Sequence, residues 1–178
     1  MSRQPPVLLE PVTHDQSAVL NNLFELYAHD FSEYVPLDLK PSGRFDVTVG
    51  EQWWARDDHF PFFIRSVGKL CGFALVRRGS RVTGADQVMD VAEFFVVRGA
   101  RGKHVGTSAA RALFDRFPGR WEIRARQANP PAIRFWARML AAWLGHEVAS
   151  SGYSCDGVDW EVFKVDSPAT RLGDEAGP

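Results

Sequence analysis

VAEFFVVRGARGKHVGTSAAR, residues 91–111, passes from an apolar run through a basic, glycine-containing turn into a helical pattern. Residues 98–111 hold three glycines and five cationic side chains. The first N–H groups of a helix lack intrahelical acceptors and carry the positive end of the helix dipole, and preceding glycines let a ligand approach the backbone. The stretch therefore favours a strand–turn–helix unit that binds a phosphate or pyrophosphate. The alternative is a solvated basic turn capped by glycine.

The rest of the chain alternates between strand and helix patterns. Apolar residues recur at three- and four-residue steps over 14–31, and two β-rich runs meet at a glycine turn. This order predicts one α/β domain over residues 1–165 with a mixed sheet, followed by a tail at 166–178 that lacks an apolar face and is expected to be disordered. The predicted elements are an edge strand at 6–12, a helix at 14–31, a loop at 33–50, a short helix at 50–58, strands at 61–68 and 69–79, a loop at 80–87, a strand at 88–97, a helix at 105–117, a strand at 120–126, a helix from 129 to 144, and strands within 146–154 and 159–165.

Charge and composition narrow the function classes. The 21 Lys plus Arg nearly balance the 22 Asp plus Glu, giving a formal net charge of -1. Because nucleic-acid binding needs a basic face, no nucleic-acid partner is expected. No run resembles a signal peptide or a membrane span, so a cytoplasmic protein without a membrane partner is expected. Cys71 and Cys155 form no CxxC and the five histidines show no ligand spacing, so neither a disulfide nor a metal site is expected.

The basic turn matches neither of two common phosphate-binding motifs. A P-loop requires Gly-Lys followed by Ser or Thr, and a dinucleotide fingerprint requires GxGxxG near the first strand. The turn does resemble the acyl-CoA loop of the GNAT superfamily of N-acetyltransferases, whose motif is Arg or Gln, two residues, Gly, one residue, then Gly or Ala. The matching residues are Arg101, Gly102, Lys103, His104, Val105 and Gly106, followed by Thr107. His104 replaces the first glycine of the motif, and histidine tolerates positive φ better than a β-branched residue.

The resemblance covers about residues 60–165 in element order, is strongest over 91–140, and is closest to a poorly characterised group of predicted bacterial acetyltransferases. It implies a GNAT-like, mostly antiparallel sheet flanked by helices. It also implies transfer of an acetyl group from acetyl-CoA, without a metal, to an unidentified small-molecule or protein amine. Homodimers are common in the superfamily. The alternative from another class is a non-catalytic module that binds CoA or sequesters a ligand, and a third is a phosphate-binding protein unrelated to acyl transfer.

The resemblance also implies cofactor-binding residues outside the turn. The fourth strand of the family often bulges, so that backbone N–H groups meet the cofactor and the thioester oxygen. Val96, Val97 and Arg98 match those positions. Asn129 matches a residue that binds the pantetheine arm, although it also suits a helix cap. Trp136 stands where the family usually has a tyrosine general acid, so the thiolate either leaves unassisted or takes a proton from Tyr153 or another hydroxyl.

Glu93 is the candidate general base, because the family often carries a carboxylate at this position of the strand. Its apolar surroundings are expected to raise its pKa. The alternative is that Glu93 pairs with an arginine across the sheet, in which case Glu33 or a solvent-linked Asp90 is the next candidate. For the acceptor, the resemblance points to about residues 27–59 and to the side chains of Tyr34, Trp53 and Trp54, with core packing as the alternative for the tryptophans.

Overall fold

The computed structural model describes residues 6–167. Seven strands and four helices follow one another in the predicted order. Their bounds are β1 Val7–Pro11, α1 Ser17–Phe31, α2 Gln52–Ala55, β2 His59–Ser66, β3 Lys69–Arg78, β4 Met89–Val96, α3 Val105–Arg116, β5 Gly119–Arg126, α4 Pro130–Leu144, β6 Ser150–Cys155 and β7 Val158–Ser167.

The strands form one sheet in the order β1-β2-β3-β4-β5-β7-β6. Every neighbouring pair is antiparallel except β4 and β5, which are parallel because α3 connects them as a crossover. The predicted single-domain α/β fold with a mixed, mostly antiparallel sheet is confirmed, as is the edge position of β1.

Some predicted boundaries were wrong. Strand β7 extends through Asp166 and Ser167, which had been assigned to the disordered tail; Ser167 is buried and its hydroxyl donates to the Phe114 carbonyl oxygen. The remainder of that tail, 168–178, lies outside the described residues. The first predicted helix begins with a 3₁₀ turn over His14–Gln16, and the N–H of Thr13 donates to the Gln16 side chain in a capping box.

The two faces of the sheet carry separate apolar cores. On one face, α3 and α4 pack against the strands, with Phe114, Leu113 and Leu140 fully buried. On the other face, α1 packs Leu20 and Leu23 against the sheet, and α2 contributes Trp53. Alternation along each strand decides which face a side chain reaches.

A bulge in β4 changes that alternation. Leu75 of β3 lies opposite Glu93, but the next residue, Val76, lies opposite Val91, so Ala92 is an extra residue in β4. Val91 packs in the α3–α4 core, whereas Ala92 packs in the α1 core. Without the bulge, Glu93 would return to the α3–α4 side. The extra residue therefore places the Glu93 side chain on the face covered by α1.

Candidate active site

Strands β4 and β5 separate soon after they meet. Their parallel pairing spans three residue pairs, from Met89 opposite Trp121 to Val91 opposite Ile123. Beyond that point β4 continues to Val96 without a neighbour on its β5 side. The result is a gap between the strands that exposes backbone groups of β4.

Successive residues of a strand direct their N–H and C=O groups to opposite sides. The N–H of Val97 donates to the Cys71 carbonyl oxygen at 2.8 Å, on the β3 side. The expectation that this N–H is free for a ligand was therefore wrong. Val96 and Phe94 face the other way, into the gap, and the Val96 carbonyl oxygen accepts a hydrogen bond there from Arg101 Nε at 2.7 Å. Phe94, which the sequence did not single out, thus joins Val96 as a backbone donor.

The basic turn has the conformation that an anion site requires. Gly102 and His104 have positive φ, 72° and 62°, so His104 adopts the left-handed conformation of the glycine it replaces. The first helical bond of α3 runs from Ser108 N–H to the His104 carbonyl oxygen at 2.9 Å. The N–H groups of Val105, Gly106 and Thr107 precede that bond and lie at the positive end of the helix dipole.

The arginines of the turn are bound to α1. Arg98 Nε donates to Asp30 at 2.8 Å, and Arg101 donates to the other oxygen of the same carboxylate. Partial burial opposes ionisation of Asp30, but the two guanidiniums hold the pKa of its carboxyl below the usual range. The Lys103 ammonium turns back to the Gly99 carbonyl oxygen at 2.7 Å.

A first cavity of about 550 Å³ lies beside this turn. The Phe94, Phe135 and Trp136 rings pack against one another at its wall, with Trp136 at 5.2 Å from Phe94. A Cβ atom on Gly106 would come within 3.3 Å of the Phe135 ring, so a larger residue would crowd this wall. Asn129 Oδ1 accepts from the Ala132 N–H, which confirms the cap at the start of α4. Ten of the predicted cofactor residues line this cavity, namely Val96, Arg98, Arg101, Gly102, His104, Val105, Gly106, Thr107, Asn129 and Trp136.

Glu93 is half-buried and bonded to helix α1. The Tyr27 hydroxyl donates to Glu93 Oε2 at 2.7 Å. Burial raises the pKa of the Glu93 carboxyl above its usual range, and the Tyr27 hydrogen bond and nearby arginines offset this only in part. Burial and the Glu93 charge likewise raise the pKa of Tyr27 well above its usual range. Tyr27 lines the first cavity and Glu93 lines a second one, so the bonded pair lies between the two.

The second cavity has a volume of about 460 Å³ and lies between α1, α2 and the β6–β7 end of the sheet. Trp53, a candidate acceptor-binding residue, lines it and is also packed in the α1 core. Tyr34 instead lines the first cavity, and Trp54 lines neither cavity and lies edge-on to His14 at 5.5 Å. Tyr153 lines the second cavity, where its hydroxyl donates to the Arg81 carbonyl oxygen.

The ion pair across the sheet belongs to Asp90 rather than Glu93. Asp90 is fully buried, and Arg77 and Arg124 both donate to its carboxylate, Arg77 through Nε at 2.9 Å. Asp90 is therefore not linked to solvent and is a poor substitute base. Glu33 lines the first cavity, is largely exposed and lies 3.7 Å from Arg98.

The sequence analysis missed the contributions of Tyr27, Asp30 and Phe94. Tyr27 belongs to the apolar spacing of α1, but a tyrosine among apolar residues often carries its hydroxyl to a polar partner. Asp30 follows one turn later on the same helix. Packing of α1 against β4 and the turn after it brings Tyr27 to Glu93 and Asp30 to the arginines. No local sequence pattern indicates that this helix packs there.

Within residues 6–167 no group of three or more His, Cys, Asp or Glu side chains is arranged to hold a metal ion. Across the same part of the chain, every helix is too short or too polar to cross a bilayer.

Comparisons with known proteins agree with this fold. The model of the acetyltransferase (GNAT) family matches residues 20–141. An acetyltransferase from Thermus thermophilus superposes with a TM-score of 0.66 at 14% identity, covering 92% of this chain and 98% of its own. The aminoglycoside acetyltransferase AAC(6')-Ib, solved with coenzyme A and kanamycin, gives 0.62 at 16% identity, covering 90% and 95%. The protein yncA of Salmonella typhimurium, solved with its cofactor acetyl-CoA, gives 0.59 at 14% identity, covering 96% and 99%. No curated protein matches the sequence.

Proposed function

Because the chain belongs to the acetyltransferase (GNAT) family, we propose that it transfers the acetyl group of acetyl-CoA to the nitrogen of an amine. One observation carries the proposal. Glu93, a carboxyl whose pKa is raised by burial, lies between two cavities and is held by the Tyr27 hydroxyl. One cavity then receives the acetyl donor and the other the amine.

The first cavity suits acetyl-CoA. Bound there, acetyl-CoA supplies a thioester carbonyl that an amine can attack. The N–H groups at the start of α3, after Gly102 and His104, suit its pyrophosphate. Asn129 uses its Oδ1 as the helix cap, which leaves its amide N–H groups for the pantetheine arm. The Val96 and Phe94 N–H groups in the gap suit the amides and the thioester oxygen. Structures of AAC(6')-Ib with coenzyme A and of yncA with acetyl-CoA support this assignment.

Glu93 performs the proton transfer in this proposal. Its raised pKa brings the carboxylate closer to neutral pH, where a general base is most effective. An ammonium entering from the second cavity gives its proton to Glu93, and the Tyr27 hydroxyl orients the accepting carboxylate. Trp136 has no hydroxyl, and Tyr153 lines the second cavity, so Tyr27, which lines the first, is the candidate proton donor to the departing thiolate. Because its pKa is raised, Tyr27 gives up its proton only as it takes back, across their hydrogen bond, the proton that Glu93 removed from the amine.

The acceptor in this proposal is a small-molecule amine. The second cavity is bounded by Trp53, Phe24 and Trp160, which suits a compact molecule. The kanamycin complex of AAC(6')-Ib supports such an acceptor for this fold. A protein amine is the alternative acceptor, and we propose in addition that the protein acts in the cytoplasm and can form a homodimer.

The deciding experiment measures thiol release from acetyl-CoA across a library of amines, with calorimetric binding of acetyl-CoA and ATP alongside. We expect acetyl-CoA to bind in preference to ATP and at least one amine to release thiol. Tight binding of acetyl-CoA without turnover of any amine would favour the non-catalytic CoA-binding module. Equal binding of both nucleotides would favour a general phosphate-binding protein.

A pair of variants tests the basic turn. Arg101→Ala should weaken acetyl-CoA binding by roughly tenfold, because a charge-assisted contact is worth about 1.5–3 kcal/mol. Arg111→Ala is the matched control, since Arg111 is an exposed arginine of α3 that lines neither cavity. Unchanged affinity in Arg101→Ala, or an equal loss in both variants, would remove the turn from the cofactor site.

A further inference from the structure

The second cavity has a basic inner wall that the proposed reaction does not use. Arg77 of β3, Arg124 of β5 and Arg81 of the loop after β3 all line it, as does Glu93. The Arg77 and Arg124 side chains are each 12% exposed, so both guanidiniums are largely withdrawn from water. A largely buried arginine pair is costly unless its charge is compensated.

Asp90 compensates only part of this charge. Its carboxylate accepts from Nε and one terminal nitrogen of both Arg77 and Arg124. An arginine has five N–H donors, so each guanidinium retains donors beyond this contact. Within residues 6–167, every fully buried side-chain nitrogen or oxygen has a hydrogen-bond partner. The second terminal nitrogen of each guanidinium has no such partner in this part of the chain. These two nitrogens must therefore lie at accessible surface.

The other charged groups around the cavity do not cancel the surplus. Glu122, the neighbouring buried carboxyl of β5, is bonded to Ser80 and lies 3.9 Å from Lys164. Asp156 is exposed in the β6–β7 turn, where water screens its charge, and Glu93 is bonded to the Tyr27 hydroxyl, so Asp90 is left as the buried carboxylate that Arg77 and Arg124 share. Burial lowers the pKa of Arg77, and the nearby Arg81 and Arg124 charges add to this while Asp90 opposes it. The wall therefore remains positive.

Aromatic packing holds this wall in place. The Arg124 guanidinium lies 5.0 Å from the centre of the Trp160 ring, and Trp160 itself lines the cavity. Because Nε and one terminal nitrogen of Arg124 bind Asp90, as they do in Arg77, the second terminal nitrogen of each guanidinium remains for a ligand, and the two oxygens of an anion can bridge the two arginines. The site thus combines preorganised donors with an apolar surround.

We propose that the acceptor is an amine that also carries a carboxylate or phosphate, and that Arg77, Arg81 and Arg124 bind this anionic group. This inference rests on the proposed acetyl transfer. Two strand residues lie between Asp90, beneath the arginines, and Glu93. The three residue steps correspond to about 10 Å of extended backbone, or less with the bulge. The acceptor therefore bears its amine and its anionic group at opposite ends of a chain several atoms long, rather than on adjacent atoms.

The test compares a charged and a neutral acceptor of equal length, and adds a phosphate acceptor and a short acceptor. The probes are ε-aminocaproate, its neutral amide ε-aminocaproamide, aminopentyl phosphate and the short amino acid glycine, with thiol release from acetyl-CoA as the readout. We expect kcat/KM for ε-aminocaproate or aminopentyl phosphate to exceed that for the amide by about tenfold or more, and glycine to be poor. The better of the two anionic probes distinguishes a carboxylate site from a phosphate site.

Two outcomes separate this inference from the function on which it rests. Equal turnover of the charged acceptors and the amide would overturn the anion site while acetyl transfer stands. If no amine releases thiol, acetyl transfer fails, and calorimetry of ε-aminocaproate against the amide decides the anion site by itself. Binding without preference for the charged probe would then overturn it.

Variants locate the preference. In Arg81→Gln and Arg124→Gln, the ratio of ε-aminocaproate turnover to amide turnover should fall toward unity. These substitutions can also change the pKa of Glu93, but that change affects both acceptors alike and cancels in the ratio. Arg78→Gln is the matched control, since Arg78 is exposed, lies next to Arg77 on β3 and therefore faces the opposite side of the sheet. A preference that persists in both cavity variants, or is lost equally in the control, would overturn the assignment.

Discussion

Replacing Glu93 by glutamine separates catalysis from binding and also reports on stability. Glutamine has the same shape, and its carbonyl oxygen can still accept the Tyr27 hydrogen bond, but it cannot take a proton. Turnover at neutral pH should fall by about 10²–10⁴-fold, the range that a general base contributes. Acetyl-CoA affinity should remain near wild type, because Glu93 lines the second cavity rather than the first.

The pH dependence has a definite sign. Wild-type turnover should rise with pH as the Glu93 carboxyl ionises, which occurs above the ordinary carboxyl range because burial raises its pKa. The variant lacks that rise, and its deficit should shrink at high pH, where the amine is already deprotonated. Thiol release measured from pH 6 to about 10 in both proteins checks this. Glu33→Gln is the control and should keep wild-type turnover; if it loses activity instead, the base lies at Glu33.

Stability gives an independent readout. A carboxyl whose folded-state pKa is raised binds its proton more tightly in the folded protein, so stability falls as pH rises from the unfolded pKa through the folded one. Glu93→Gln should therefore melt at a higher temperature than wild type near pH 8 and show no gain near pH 4. Lower melting at neutral pH together with a parallel pH–rate profile would refute the reasoning and assign Glu93 a structural role.

Three further substitutions test other parts of the structure. Tyr27→Phe removes the hydrogen bond that lowers the pKa of Glu93, so the rise of turnover with pH should move to higher pH; an unshifted profile would argue against the contact. Asp30→Asn frees two guanidiniums of the basic turn, so acetyl-CoA should bind about 2–5-fold more tightly in calorimetry at low salt, and less so at high salt. Val67→Asn relieves a β-branched residue at φ 50° in the β2–β3 turn and should raise the free energy of unfolding in urea by about 1 kcal/mol; no gain would mean that the turn is not strained.

Local sequence patterns determined the order of elements and the basic turn. The apolar spacing of α1 and the strand–turn–helix run at 91–111 depend on neighbouring residues alone, and both formed as predicted. The left-handed conformation of His104 follows from the glycine position that it occupies in the motif. The Asn129 cap was likewise visible in the sequence, because capping involves residues only three positions apart.

The chemistry of the site depended on contacts between distant parts of the chain, which no local pattern encodes. Tyr27 and Glu93 meet across 66 residues, and they do so because one extra residue in β4 directs Glu93 toward α1. Alternation alone would have placed that carboxyl on the opposite face, since the side-chain period of a strand is two and a single inserted residue reverses it. The same long-range packing bonded Arg77 and Arg124 to Asp90, so that within residues 6–167 the hydrogen-bond partner of Glu93 is the Tyr27 hydroxyl rather than an arginine. The sequence therefore determined which elements exist, and the register between strands decided which side chains meet, because register is set by the burial of both faces of the sheet at once.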